Sequence, residues 1–218
     1  MISNKQKEIL EQKLTLEIGE KIMPNLELYC KLFKEYNSHT NLISKNDEKF
    51  LFEKHIFDSL ALNLFFKKHK IKNLLDIGTG GGFPSVIIAI FFPEIKVFAM
   101  DSIKKKLNFI ELIKTELKLT NLEIIHARAE NVSQNMKENF DVVTCRAVSE
   151  LKNLFPYSAP YLKKSGFFVA FKSKNFQEEI NNAQNVIKKL HFKLNEIIDY
   201  NLPLEENFER KLLVFEKK

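Results

Sequence analysis

An α/β fold with an open, mostly parallel sheet is what this 218-residue sequence predicts, on three observations. From residue 71 onward, short apolar runs alternate with helical patterns, as in a doubly wound sheet. The first run, Leu74-Leu75, leads into Asp76-Ile77-Gly78-Thr79-Gly80-Gly81-Gly82-Phe83-Pro84, so a strand passes through a glycine-rich turn into a helix. The last two runs have no helix between them, which makes the final pairing antiparallel.

The elements follow in order. Residues 1–70 read as a helical extension and residues 71–218 as the sheet-bearing core. Ser3-Asn4-Lys5-Gln6 can form a capping box, and Ile9, Leu10, Leu14 and Leu16 give the first helix an imperfect apolar face. Pro24 suits the first turn of a second helix, with Leu28, Leu32 and Phe33 on one face. Tyr36 to Asn41 is polar and turn-rich, and a third helix is expected from Asp47 to Lys67. Seven strands are expected at 72–76, 95–100, 122–126, 140–145, 166–171, 192–198 and 211–216. Helices are expected at 84–91, 103–117, 149–162 and 175–190.

Composition sets the outer bounds. With 44% hydrophobic and 28% charged residues, the chain has the balance of a globular protein and can bury a full core. Cys30 and Cys145 lie far apart and form no disulfide or metal pattern. The longest apolar stretch, Phe83 to Phe92, is too short to span a bilayer, and the first residues show no apolar signal core. A cytoplasmic monomer without metal or membrane contact is the expectation. A net charge of +6 favours an anionic partner, and scarce arginine leaves phosphate contacts mainly to lysine.

Four of the six glycines sit in the one turn. Glycine permits positive φ and lets a ligand approach the main chain. The N–H groups opening the next helix favour a carboxylate or phosphate. Asp101 ends the second strand, where an acidic group suits a ribose diol, with Ser102 beside it. A dinucleotide fingerprint needs glycine at its first, third and sixth positions; these are Gly78, Gly80 and Phe83, so the sixth fails. Asp76, two residues before the first glycine, instead fits S-adenosylmethionine enzymes, where it can reach the ammonium side of the methionine. A tight turn in another α/β protein is the plain alternative; the order of Asp76, Asp101 and the following motif weighs against it.

That following motif is Ala127-Arg128-Ala129-Glu130, which in this architecture borders the adenine. The N–H groups of Ala129 and Glu130 can bind ring nitrogens and the Glu130 carboxylate the exocyclic amine; otherwise Glu130 only opens a helix. Arg146 follows the apolar fourth strand at the ligand-bearing edge. It can pair with the cofactor carboxylate, an RNA phosphate or the target base, or form a surface salt bridge. Cys145 has no preceding proline and reads as a buried thiol rather than a nucleophile. His55 and Asp58 lie one turn apart, either as a hydrogen-bonded junction or as part of a lid; no third ligand is spaced for a metal. Of the basic clusters, Lys104, Lys105, Lys106 and Lys172 are the RNA-binding candidates, because both segments reach the ligand-bearing edge.

In their order, Asn37…Asn41-Leu42, His55…Asp58-Ser59, Asp76 to Pro84, Asp101-Ser102…Lys105, Arg128-Ala129-Glu130, Phe140…Arg146-Ala147 and Lys172 closely resemble one family. It is the bacterial small-subunit ribosomal RNA guanine-N7 methyltransferase family, also called the glucose-inhibited division protein B family. The resemblance implies a Rossmann-like, class I methyltransferase core with S-adenosylmethionine as cofactor. It also implies 16S ribosomal RNA or a small-subunit precursor as partner, and methylation of N7 of guanine 527 in the 530 loop. The family usually has Trp where Tyr36 stands, Gly for Ser85, Arg for Lys106 and Ser for Cys145. Lysine at 106 acts as a point charge without arginine's bidentate fork. N7 has no proton to lose, so no general base is expected; Arg146 would position groups, and Phe83, Phe155 and Tyr157 are possible stacking platforms. An NAD-linked oxidoreductase, a non-catalytic RNA-binding module and a methyltransferase acting on another RNA, protein or small molecule are the competing readings.

Overall fold

A computed structural model describes residues 2–146, 149–206 and 208–218. Ala147, which belongs to one of the resemblance motifs, lies outside the described residues. Helix α1 (Asn4–Leu14) opens on the predicted capping box. Ser3 Oγ accepts the Gln6 N–H at 3.1 Å, and the Gln6 side chain accepts the Ser3 N–H at 3.0 Å. Helix α2 (Ile22–Thr40) runs through the stretch expected to turn. It does so because its polar side chains find partners on the helix or beside it. Thr40 Oγ1 donates to the Tyr36 carbonyl, while Asn37 accepts the Ile43 N–H and donates to Glu48. The helix ends at Asn41, in the left-handed conformation.

The third helix expected over 47–67 is broken into α3 (Lys45–Glu48), a π-helical turn (Leu51–Phe57), α4 (Asp58–Leu60) and α5 (Asn63–Phe66). Wide π turns reset which face of a helix points inward. Here Leu51, Phe52, Ile56 and Phe57 are buried, and Asp58 and Ser59 are buried with them. A regular 3.6-residue repeat does not produce that run of neighbours.

The sheet contains β1 (Asn73–Ile77), β2 (Lys96–Asp101), β3 (Leu122–His126), β4 (Phe140–Cys145), β5 (Leu162–Lys172), β6 (Phe192–Leu202) and β7 (Phe208–Lys217). Their spatial order is β3-β2-β1-β4-β5-β7-β6. Pairs among β1 to β5 are parallel, and β7 runs antiparallel to both β5 and β6. Helices α6 (Ser85–Phe91), α7 (Lys104–Glu116), α8 (Leu151–Ser158) and α9 (Phe176–Lys189) connect them. The helix expected over 149–162 is shorter, because β5 begins earlier than predicted, across a register shift opposite Phe140 and Val142.

Alternating side chains feed two cores. Val142, Val169, Leu212 and Val214 join a cluster with Leu26, Tyr29, Phe33, Val86, Phe109 and Ile110, so α2 shares one face with α6 and α7. Their neighbours Val143, Phe168, Leu213 and Phe215 join Phe155, Ile180 and Ala183 from α8 and α9 on the other face. Each fully buried aromatic or aliphatic side chain there contributes about 1.5–3 kcal/mol. The strand order reverses between β1 and β4, the place where open α/β sheets bind ligands.

Candidate functional site

The glycine turn is built by its neighbours. Gly78, Gly80 and Gly82 have φ of 76°, 56° and 89°, which other residues rarely adopt. A Cβ on Gly81 would sit 2.7 Å from the Phe33 ring, and one on Gly82 would sit 2.5 Å from Val86 Cγ2. A Cβ on Gly80 would meet only the Gly78 carbonyl oxygen, at 3.9 Å, so open space adjoins the main chain on that side. The Tyr29 hydroxyl reaches from α2 to donate to the Gly81 carbonyl at 2.7 Å.

Asp76 stands behind this turn rather than in front of it. It is fully buried, and its Oδ2 accepts the Ser85 N–H at 3.2 Å. The anion expected at the opening of α6 is thus the protein's own carboxylate. Burial pushes its pKa up to about 6, against the lowering pull of hydrogen bonds from Thr79 and Ser85. Asp76 Oδ1 is buried without a partner among the described residues.

In front of the turn lies a cleft of about 300 Å³ at the carboxyl ends of β1, β2 and β3. Gly78, Asp101, Ser102, Ala129 and Glu130 line it, as their spacing predicted, together with Arg128, Ser149 and Tyr157. Asp101 is nearly buried and braces the floor: Oδ2 accepts the Gly80 N–H at 3.0 Å and Oδ1 the Ile103 N–H at 2.9 Å. Glu130 is exposed at the rim. Two carboxylates, open space at Gly80 and a cleft of this size fit a nucleoside whose ribose and amine donate hydrogen bonds.

Arg146 is placed elsewhere. Its guanidinium packs over the Phe83 ring at 5.1 Å. It donates to the Lys54 carbonyl at 2.9 Å, to His55 Nδ1 at 2.8 Å and to Asp58 Oδ2 at 3.3 Å. Asp58 is 1% exposed and also takes the Tyr200 hydroxyl at 2.6 Å and both Nε and Nη2 of Arg210, at 3.1 and 3.0 Å. The two arginines hold the Asp58 carboxyl below the usual carboxylate range despite burial. Burial and the Arg146 charge press the His55 pKa down to about 4, so the ring is neutral. His55 and Asp58 are therefore a hydrogen-bonded junction, and they also border a second cavity of about 290 Å³ with Arg146, Arg210 and Phe208.

Phe83 is 3% exposed, wedged among Tyr29, Phe33 and His55, so it lines neither wall of the cleft. Phe155 is a core residue, whereas Tyr157 reaches the cleft. Lys104 and Lys105 are exposed and Lys106 half-buried, all in the first turn of α7. Lys172 is held by Glu179 at 2.6 Å and by the Ser149 carbonyl at 3.2 Å, so it braces α9 rather than standing free. Cys145 is buried and burial pushes its thiol far up, out of the nucleophilic range. Tyr29, Tyr200 and Arg210 escaped the sequence reading. The available signal was Arg210, an isolated arginine opening an apolar strand as Arg146 closes one.

Strand order, glycine turn and acidic end of β2 together define a Rossmann-like, S-adenosylmethionine-dependent methyltransferase. The chain belongs to the rRNA small subunit methyltransferase G family (GidB), whose sequence profile matches residues 22–207. It is 38% identical over 208 residues to ribosomal RNA small subunit methyltransferase G of Lysinibacillus sphaericus, covering 94% of this chain and 87% of that one. It is 41% identical over 192 residues to the protein of the same name in Fusobacterium nucleatum, covering 88% and 82%. Among solved structures, M. jannaschii TYW2 in complex with AdoMet superposes with a TM-score of 0.56 at 16% identity, over 69% of this chain and 71% of that one. The YcgJ protein of Bacillus subtilis gives 0.54 at 15%, over 72% and 97%. These two likenesses concern the fold. Among the described residues, no helix is long and apolar enough to cross a membrane.

Proposed function

We propose that this protein methylates N7 of guanine 527 in 16S ribosomal RNA. Membership in the methyltransferase G family carries the reading, and the cleft of Gly78, Asp101 and Glu130 supports it chemically. When bound, S-adenosylmethionine supplies a sulfonium methyl, which the N7 lone pair takes as the C–S bond breaks and its electrons pass to sulfur. Asp101 would accept from the ribose diol while its N–H partners keep it fixed. Ala129 and Glu130 would meet the adenine, and Gly78 and Gly80 would let the main chain approach the methionine. No proton leaves N7, so catalysis rests on positioning and electrostatics. The groups at hand match that demand: the His55 Nδ1 lone pair accepts from Arg146, and the Cys145 thiol is held protonated.

The test is transfer of tritiated methyl from S-adenosylmethionine to ribosomal RNA from cells lacking this activity, followed by nucleoside analysis. Label in 7-methylguanosine at that one position is expected. Label in another nucleoside, or none in either naked RNA or small subunits, overturns the reading.

A further inference from the structure

The wall of the cofactor cleft after β3 is a tight turn whose central peptide is held from outside. The Asn131 N–H donates to the Arg128 carbonyl at 3.0 Å and closes the turn over residues 128–131. That bond uses the two ends and leaves out the peptide between Ala129 and Glu130. At the entry, the Ala127 N–H donates to the Asp101 carbonyl at 3.2 Å, which also stops short of the central peptide. One group among the described residues reaches it. The Tyr161 hydroxyl, 32 residues further along the chain, donates to the Ala129 carbonyl at 2.9 Å.

Tyr161 is fixed firmly enough to aim that bond. It stands between α8 and β5 and is fully buried. Its carbonyl accepts the N–H groups of Asn139 and Phe140 at 3.0 and 3.1 Å, which ties it to the start of β4. Its ring meets the Phe140 ring edge-on, with centroids 6.3 Å apart. Burial, and then the nearby Glu130 charge, raise the pKa of the hydroxyl, so it keeps the proton it donates.

The direction of the carbonyl decides the direction of the next N–H. The Ala129–Glu130 peptide is trans and planar, with its C=O and N–H on opposite sides. An Ala129 carbonyl turned back to Tyr161 therefore turns the Glu130 N–H the other way. Ala129 and Glu130 line the cleft and Tyr161 stands behind them, so that N–H faces the ligand side. It has no partner among the described residues.

We propose that Tyr161 is a positioning residue for the cofactor: by holding the Ala129 carbonyl, it directs the Glu130 N–H at N1 of the adenine. The proposal rests on the reading that this turn meets the adenine. A donor and an acceptor from one residue, the Glu130 N–H and carboxylate, match the acceptor and donor that adenine presents side by side at N1 and its amine.

The test titrates the full chain by calorimetry with S-adenosylhomocysteine and with its 1-deaza analogue, in which CH replaces N1. The wild type is expected to bind S-adenosylhomocysteine about tenfold tighter than the analogue, the worth of one hydrogen bond and the desolvation left when it is lost. Tyr161→Phe keeps the ring and its packing and removes the hydroxyl alone. It is expected to bind S-adenosylhomocysteine about fivefold more weakly than wild type and to hold the two ligands within about twofold of each other. A mere structural brace would lower both affinities together, so a preference that survives in Tyr161→Phe overturns the role of Tyr161 and leaves the adenine reading in place. Equal binding of the two ligands by the wild type overturns that reading and the proposal with it. The Glu130 amide resonance is a second readout. It should move downfield when the wild type binds S-adenosylhomocysteine and much less in Tyr161→Phe; equal shifts again overturn the role of Tyr161. The melting temperature of the variant should fall by no more than about 4 °C, the effect of one neutral hydrogen bond. Loss of the fold would assign the hydroxyl to stability and overturn the proposal.

Discussion

Asp76 is tied to the glycine turn by the protein's own groups. Its carboxylate is enclosed by protein, holds the first N–H of α6 and has a pKa near 6. An acid whose pKa rises on folding stabilises the fold in its protonated form; that contribution is present below about pH 4 and lost as pH rises through about 6. The stability of Asp76→Asn relative to wild type is therefore expected to improve by about 2–3 kcal/mol between pH 4 and pH 7. Melting curves at the two pH values check this, and a gap independent of pH would show that Asp76 titrates normally. For Asp101 the proposed role is direct contact with the ribose. Asp101→Ala should weaken S-adenosylmethionine binding by about 10- to 150-fold, as measured by equilibrium dialysis. Spacing alone brought Asp101, Ser102, Ala129 and Glu130 to one edge, because strand ends in a parallel sheet share a side. The Asp58 cluster was illegible for the opposite reason. Its partners Arg146 and Arg210 lie 88 and 152 residues away, and no local pattern encodes that meeting.

At the scale of elements, the glycine turn separates two demands that the sequence merges. Gly80 needs its φ but has room beside it; Gly82 needs its φ and has no room. Gly80→Ala is expected to cost about 1–2 kcal/mol of stability, the penalty of the left-handed conformation alone. Gly82→Ala should cost clearly more, since its Cβ must displace Val86 from the core. Urea midpoints of the two variants order them, and equal losses would refute the packing argument. Strands were readable because two-residue alternation and apolar runs survive any context. The π turn at Leu51–Phe57 was not, because it breaks the repeat from which helices are recognised.

For the whole molecule, the +6 charge and the α7 lysines make a claim about partners. Replacing Lys104, Lys105 and Lys106 together with Ala should flatten the salt dependence of RNA binding, by about 0.7 log unit per decade for each phosphate no longer neutralised. S-adenosylmethionine affinity should barely move. A filter-binding series across salt decides it; an unchanged slope makes the lysine run ordinary surface. The topology has its own consequence in the order of synthesis. β7 lies between β5 and β6, yet it leaves the ribosome after both. Until it emerges, a nascent chain carries two raw sheet borders with unpaired N–H and C=O groups, and Asp58 waits for Arg210. Translation stalled before residue 208 would thus yield not a weakened enzyme but a chain primed to stick to its neighbours.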